Sequence, residues 1–144
     1  DIKKTGNSKI CTFSKILNPR VFEVETSRKE NILKNNNLKI ILKRVEEVNY
    51  PFYILSLFGS QAQSTSKKGS DIDICLICDS KKATEKIKSI IELIPLDIHL
   101  LNFTSEEFIS MLQSPKNNVG KEIVENYIIL SGIEQFYRMI NDAK

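Results

Sequence analysis

Two apolar stretches separated by a polar loop constrain the fold of this 144-residue chain more than any other feature. The first covers residues 53–58 and is closed by Gly59, and the second begins at Asp71, alternates, and becomes continuously apolar by Cys78. Short apolar runs bounded by turn residues are typical of buried strands. We therefore expect two buried strands joined by a polar loop.

The flanking sequence predicts helices and one more strand. Residues 27–48 have helical apolar spacing interrupted by three asparagines, which indicates one broken helix or two short ones. An apolar stripe at residues 81–93 predicts another helix, Pro95 ends it, and residues 96–101 predict a third strand. A capping box opens a helix at residues 104–112, and two more helices are expected at residues 119–125 and 133–140. These patterns predict an α+β fold with a mixed sheet of three to five strands flanked by helices.

Charge is distributed unevenly along the chain. Residues 1–44 contain eleven Lys or Arg against four Asp or Glu, a net charge of +7, and residues 45–144 contain ten against fourteen, or −4, which sum to +3. A strand at residues 9–13 and the alternation at residues 21–24 predict a hairpin-like basic segment over residues 1–26, followed by the main domain over residues 27–144. This segment either faces nucleic acid or an acidic partner, or is a solvated lysine-rich surface.

The length of the apolar runs and the number of cysteines indicate the cellular compartment that we expect for this protein. The apolar runs fall far short of the roughly 18 residues that a membrane span needs, so we expect no membrane partner. Three cysteines are an odd number and a poor disulfide framework, which predicts free thiols and a cytoplasmic protein. Cys75 and Cys78 are three positions apart on a predicted strand, so their thiols point to opposite faces, and core packing is favoured over zinc binding.

The loop between the first two strands joins two features suited to phosphate chemistry. Asp71 and Asp73 are two positions apart on a strand, so both carboxylates lie on one face, where their repulsion favours a bound divalent cation such as Mg²⁺ or Mn²⁺. Gly59 permits close approach of the backbone to a phosphate, and Ser60 is expected to cap a short helix whose N–H groups attract the anion. The aspartate pair and the Gly59-Ser60 turn together predict a site for a metal-bound nucleoside triphosphate. Lys67 and Lys68 in the loop are either further phosphate contacts or simple surface lysines.

The sequence Leu57-Phe58-Gly59-Ser60, a ten-residue spacer and Asp71-Ile72-Asp73 together resemble the signature of the minimal nucleotidyltransferases of the polymerase-beta superfamily. That superfamily includes the MNT-type antitoxins and the kanamycin nucleotidyltransferases. The resemblance implies a polymerase-beta-like fold and a third carboxylate on the next core strand, a role that carries over to Asp97. His99 shares the face of Asp97, and it either approaches the nucleotide or the acceptor or is a half-buried structural histidine.

The resemblance also implies an order of events. Asp71 and Asp73 would bind the metal that neutralises the triphosphate, and Asp97 would join them at a second metal that activates an incoming hydroxyl. Asp97 is the general-base candidate, and Gly59 and Ser60 would hold the β- and γ-phosphates. The implied function is transfer of NMP, with ATP as the first donor to test, and release of pyrophosphate.

The acceptor and the partners stay open at this point. Small members of the family modify antibiotics, RNA ends or proteins, and a protein hydroxyl is plausible here, as for antitoxins that adenylylate a HEPN-type toxin. The N-terminal segment also resembles the wing and exit of a winged-helix DNA-binding domain, which makes nucleic acid a possible partner. The competing interpretations are a DNA-binding transcriptional regulator and a nucleotide-binding partner module without turnover.

Overall fold

The computed structural model describes residues 2–5, 8–11, 16–63 and 70–143. Within these ranges seven helices and six strands follow one another in the order β1 (Ile2–Thr5), β2 (Ser8–Cys11), α1 (Pro19–Ile32), α2 (Asn36–Glu46), β3 (Ile54–Leu57), α3 (Gly59–Ala62), β4 (Ile72–Ile77), α4 (Lys81–Glu92), β5 (Ile98–Phe103), α5 (Ser105–Gln113), α6 (Val119–Glu125), β6 (Ile128–Ser131) and α7 (Ile133–Asp142).

A four-stranded mixed sheet forms the centre, with the strand order β5-β4-β3-β6. Strand β3 is antiparallel to both of its neighbours, β4 and β6, whereas β4 and β5 are parallel. The parallel pair needs a crossover, which α4 provides. Strands β1 and β2 form a separate antiparallel hairpin.

Each face of the sheet has its own apolar cluster, covered by helices. One cluster contains Leu55, Ile72 and Ile74 from the sheet and packs against α2 and α4. The other contains Cys75 and residues of α1, α5, α6 and α7. Because successive side chains of a strand point to opposite faces, β3 and β4 supply both clusters. This helix, sheet and helix arrangement confirms the predicted α+β fold with a mixed sheet.

Helix α1 begins where a strand was expected. The Asn18 side chain accepts a hydrogen bond from the backbone N–H of Val21 at 3.1 Å, and Pro19 occupies the first helical turn. Both are strong helix-start signals. The prediction of an extended segment at residues 21–24 was therefore wrong, and α1 runs continuously through residues 26 and 27. The expected strand at residues 9–13 corresponds to β2 up to Cys11, and residues 12–13 lie outside the described part of the chain.

A buried polar network joins α1 to α7 and to Tyr127, the residue before β6. Glu25 is only 1% exposed, and its Oε1 accepts a hydrogen bond from the Tyr137 hydroxyl at 2.7 Å. Arg28 donates to the same carboxylate at 3.2 Å, donates to the backbone carbonyl of Tyr127, and places its guanidinium over the Tyr127 ring. Strand β6 is an outer strand of the sheet, and α1 packs against it. Covering an edge in this way satisfies or shields its backbone groups.

The other predicted elements are largely confirmed. Helices α1 and α2 form two pieces separated at residues 33–35, α4 and α5 lie where expected, and α5 opens with the predicted capping box of Thr104 and Glu107. Strand β6 was not predicted, because its residues are buried on both faces and show no alternation. Among the described residues, no helix has the length and apolar character to cross a bilayer.

Candidate functional site

The backbone brings the three predicted acids to one end of the sheet. Asp73 lies in β4, and Asp71 and Asp97 immediately precede β4 and β5. The parallel register pairs Asp73 with His99, and the N–H of Ile72 donates to the carbonyl of Asp97 at 2.9 Å. Residues far apart in sequence therefore meet where β4 and β5 begin.

Strand alternation determines which face of the sheet the Asp73 side chain occupies. Ile72 and Ile74 point into the cluster under α2 and α4 and are nearly or completely buried. Asp73 therefore points to the opposite face, and its side chain is 25% exposed. The side chains of Asp71 and Asp97 are more open to solvent, as expected for residues at the entry of a strand.

Gly59 lies directly against Asp73. Its φ of +63° is left-handed, and its position follows β3, where the N–H of Phe58 donates to the carbonyl of Asp73 at 3.1 Å. A Cβ at residue 59 would lie 3.2 Å from Cγ of Asp73 and still closer to its Oδ2. Only glycine fits both the backbone angle and the space. The turn predicted to approach phosphate is thus in contact with the second acid of the motif.

Ser60 does not cap the helix after β3, so that expectation was wrong. Phe58 occupies the cap position of α3 and makes no side-chain cap bond, because its side chain has no polar atom. Because the helix begins at Gly59, Ser60 is inside the first turn and half-buried. Lys67 and Lys68, the other predicted phosphate contacts, lie outside the described residues.

The carboxylates share an edge but do not form a closed metal-binding cluster. In the part of the chain that the structure describes, no three His, Cys, Asp or Glu side chains are grouped closely enough to hold a metal ion. Oδ1 of Asp73 instead lies 3.1 Å from Nδ1 of His99, whose side chain is 59% exposed. The donor chemistry still suits Mg²⁺ or Mn²⁺, since all three acids offer hard oxygen ligands at one open edge.

His99 is the residue at this site that sequence reasoning left open. It is an exposed residue, so the half-buried structural interpretation was wrong. Its parity with Asp97 was visible in the sequence. Its position opposite Asp73 depends on the register between β4 and β5, which no local pattern determines.

The two strand cysteines pack in the core as predicted. Cys75 belongs to the cluster beneath α1, α5, α6 and α7, and Cys78 belongs to the cluster beneath α2 and α4. Both are buried and free. Burial raises the pKa of the Cys75 thiol to about 12, so this residue is a poor nucleophile and a poor metal ligand at neutral pH.

Comparison with known proteins identifies the family of the chain. The model of the family "Polymerase beta, Nucleotidyltransferase" matches residues 36–132, which include every residue of the site. Three chains of solved structures are similar. One is a crystal structure of a toxin–antitoxin with AMP-PNP, 21% identical, covering 75% of this chain and 82% of that chain, with a TM-score of 0.46. No curated protein matches the chain. Because the family model covers well over half of the sequence, the chain belongs to the polymerase beta nucleotidyltransferase family.

Proposed function

We propose that this protein transfers NMP from a nucleoside triphosphate to a hydroxyl acceptor, with release of pyrophosphate, in a reaction that depends on Mg²⁺ or Mn²⁺. Membership of the nucleotidyltransferase family supports the reaction class. The position of Asp71, Asp73 and Asp97 at the starts of the adjacent strands β4 and β5 supports the assignment of these three residues.

The contact between Gly59 and Asp73 is the observation that carries the proposal. A backbone held at positive φ, with no room for a Cβ, lies beside a carboxylate at an open edge. Glycine at this position allows the Asp73 carboxylate to lie against the main chain. A cation held by Asp73 would therefore be close to the turn that we propose contacts the phosphates.

Each residue then has a role. Asp71, Asp73 and Asp97 would hold the divalent cation, which when bound neutralises charge on the phosphates. The main chain at Gly59 and Ser60 would contact the β- and γ-phosphates. The acceptor oxygen attacks the α-phosphorus, the bond from that phosphorus to the bridging oxygen breaks, and Asp97 takes the acceptor proton. Pyrophosphate leaves with the electron pair of the broken bond.

ATP and a protein hydroxyl are the donor and acceptor that we propose to test first. The site residues contact phosphate and cation, so they leave the base unspecified, and all four triphosphates belong in the assay. The family resemblance motivates a protein acceptor such as a HEPN-type toxin. Nucleic acid is a second partner to test, because residues 1–44 carry a net charge of +7, from eleven basic and four acidic residues.

The test is transfer of label from triphosphates radiolabelled in the α-phosphate, with Mg²⁺ or Mn²⁺, in cell lysate and with the protein alone. We expect metal-dependent label on protein or RNA, and loss of that label in Asp73→Asn with an unchanged melting temperature. Asp142→Asn is the matched control, because Asp142 is an exposed aspartate at the end of α7. It should retain full transfer.

Four outcomes would count against the proposal. Label that persists in Asp73→Asn would remove this acid from the reaction. Equal loss of fold and activity in Asp73→Asn would make it structural. No transfer under any condition, combined with nucleotide binding, would favour a binding module. Duplex binding that weakens with salt and survives Asp73→Asn would favour a regulator.

A further inference from the structure

An exposed histidine lies beside Asp73, one of the proposed metal ligands. Nδ1 of His99 lies 3.1 Å from Oδ1 of Asp73, across the register of β4 and β5. Its side chain is 59% exposed. An exposed pair of this kind contributes little to folding, typically about 0–1 kcal/mol. A role in stabilising the sheet therefore explains its position poorly.

The two oxygens of Asp73 have different surroundings. Oδ1 faces the His99 ring, whereas Oδ2 faces Gly59, where even a Cβ would overlap it. The second oxygen is thus the one directed at the turn that is proposed to hold phosphate. A carboxylate that rotates freely would exchange these two oxygens, so a contact that fixes one oxygen also aims the other.

We propose that His99 is a positioning residue, which donates its Nδ1–H to Oδ1 of Asp73 and thereby directs Oδ2 toward the cation beside Gly59. This inference rests on the proposed function. Carboxylates that bind metals are themselves held by hydrogen bonds from neighbouring groups, and loss of such a neighbour commonly weakens metal binding about 10–100-fold. His99 acts through Asp73 and touches neither the phosphates nor the acceptor.

The first test needs neither metal nor nucleotide. His99 is the single histidine of the chain, so the imidazole nitrogen signals in a ¹⁵N NMR spectrum need no assignment. With the ring neutral, we expect the Nδ1–H tautomer in the wild type. In Asp73→Ala the carboxylate is gone, and the signals should revert to the Nε2–H tautomer that free histidine favours. The Nε2–H tautomer in the wild type would overturn the inference.

The second test measures affinity for Mn²⁺ by electron paramagnetic resonance, in the presence of a non-hydrolysable ATP analogue. We expect binding about 10-fold weaker in His99→Ala. In His99→Asn the side-chain amide can donate to the same oxygen and should restore part of the affinity. Both variants should have the melting temperature of the wild type, because the His99 side chain is exposed. A merely structural histidine would not show this pattern of loss and rescue.

The outcomes separate this inference from the function on which it rests. Wild type that binds no Mn²⁺ would overturn the proposed metal site and, with it, the role of His99. Wild type and His99→Ala of equal affinity would overturn the positioning role alone and leave the proposed site intact. Equal weakening in His99→Ala and His99→Asn would also count against a hydrogen bond as the cause.

Discussion

Gly59 has a positive φ and no space for a Cβ beside Asp73, and a substitution by alanine tests both features. In Gly59→Ala the side chain must adopt a φ of +63° and meets the Asp73 carboxylate. We expect the free energy of unfolding to fall by about 1–3 kcal/mol, and affinity for Mn²⁺ with the ATP analogue to be lost, because Oδ2 of Asp73 must move. Urea denaturation and the Mn²⁺ titration measure the two effects.

Gly132 provides the matched control for this substitution. It also has a left-handed φ, +82°, and a Cβ there would lie 2.7 Å from the carbonyl oxygen of Tyr53. That contact is near the start of β3, at the opposite end of the sheet from Gly59. Gly132→Ala should therefore lose stability but bind Mn²⁺ once folded. Loss of binding in both variants would mean that destabilisation alone explains the effect.

The features of the site that could be predicted from the sequence are those that depend on neighbouring residues. Those that depend on contacts between distant strands could not be predicted. The expectation that Asp71 and Asp73 share a face rests on the two-residue period of a strand and needs no tertiary information. The contact of Asp73 with Gly59 and His99 depends on how β3, β4 and β5 are aligned. The cap assigned to Ser60 failed because only Phe58 separates β3 from α3, so the helix already begins at Gly59 and Ser60 falls inside its first turn.

The network at α1 predicts how this helix is held to the sheet. Tyr137→Phe removes the hydroxyl that donates to the buried carboxylate of Glu25 at 2.7 Å and lies 2.9 Å from the hydroxyl of Tyr127. Loss of a partner at a buried charged group costs about 1–3 kcal/mol. We expect the free energy of unfolding to fall by this amount in urea denaturation. The substitution should also increase the rate of amide hydrogen exchange more in α1 than in β4.

Tyr50→Phe is the matched control for the network. It deletes the same hydroxyl from a tyrosine whose ring packs against Phe52 and which is not one of the hydrogen-bonded residues of the network. The expected change in unfolding free energy is within about 0.5 kcal/mol. A comparable loss in both variants, or exchange that rises uniformly over the molecule, would show that Tyr137 does not act through α1.

At the level of elements, the sequence was misleading where local patterns conflict. The alternation at residues 21–24 indicated a strand, yet Asn18 and Pro19 begin a helix in which Val21 and Glu25 are buried, four residues apart. A glutamate in this position is expected at the surface, and its burial is explained only by the hydrogen bond from Tyr137 in α7. Strand β6 was not predicted because a short, buried apolar run has no periodic pattern that would identify it as a strand.

The whole molecule is a sheet between two helical layers, and the family match begins only at residue 36. Helix α1 precedes that match, yet two of its residues are buried. Val21 belongs to one of the two clusters of the core, and Glu25 is 1% exposed. The apolar cluster on that face therefore includes residues outside the matched region. The unfolding of α1 and of the sheet should consequently be one cooperative transition.

Buried ionisable groups make the stability of the whole molecule fall at alkaline pH. Burial raises the pKa of Tyr53, Tyr127 and Tyr137 above the ordinary value of 10.0, and that of Cys75 from 9.0 to about 12. The folded state thus retains protons that the unfolded chain releases. Stability from these groups is complete below pH 9.0 and declines as pH rises through 9.0 for the thiol and 10.0 for the tyrosines. Each group removes about 1.4 kcal/mol per pH unit once it is ionised only in the unfolded state.

Tyr137→Phe tests this account, because it removes one such group. At neutral pH the variant is the less stable protein for lack of its hydrogen bonds, but its free energy of unfolding should decline less steeply above pH 10.0. The difference between wild type and variant should therefore narrow as pH rises, in urea titrations at successive pH values. Cys75→Ala should differ from the wild type in slope already from pH 9.0. If the curves of wild type and Tyr137→Phe stay parallel through this range, Tyr137 ionises equally in the folded and unfolded states, and the tyrosine cannot be linked to alkaline unfolding.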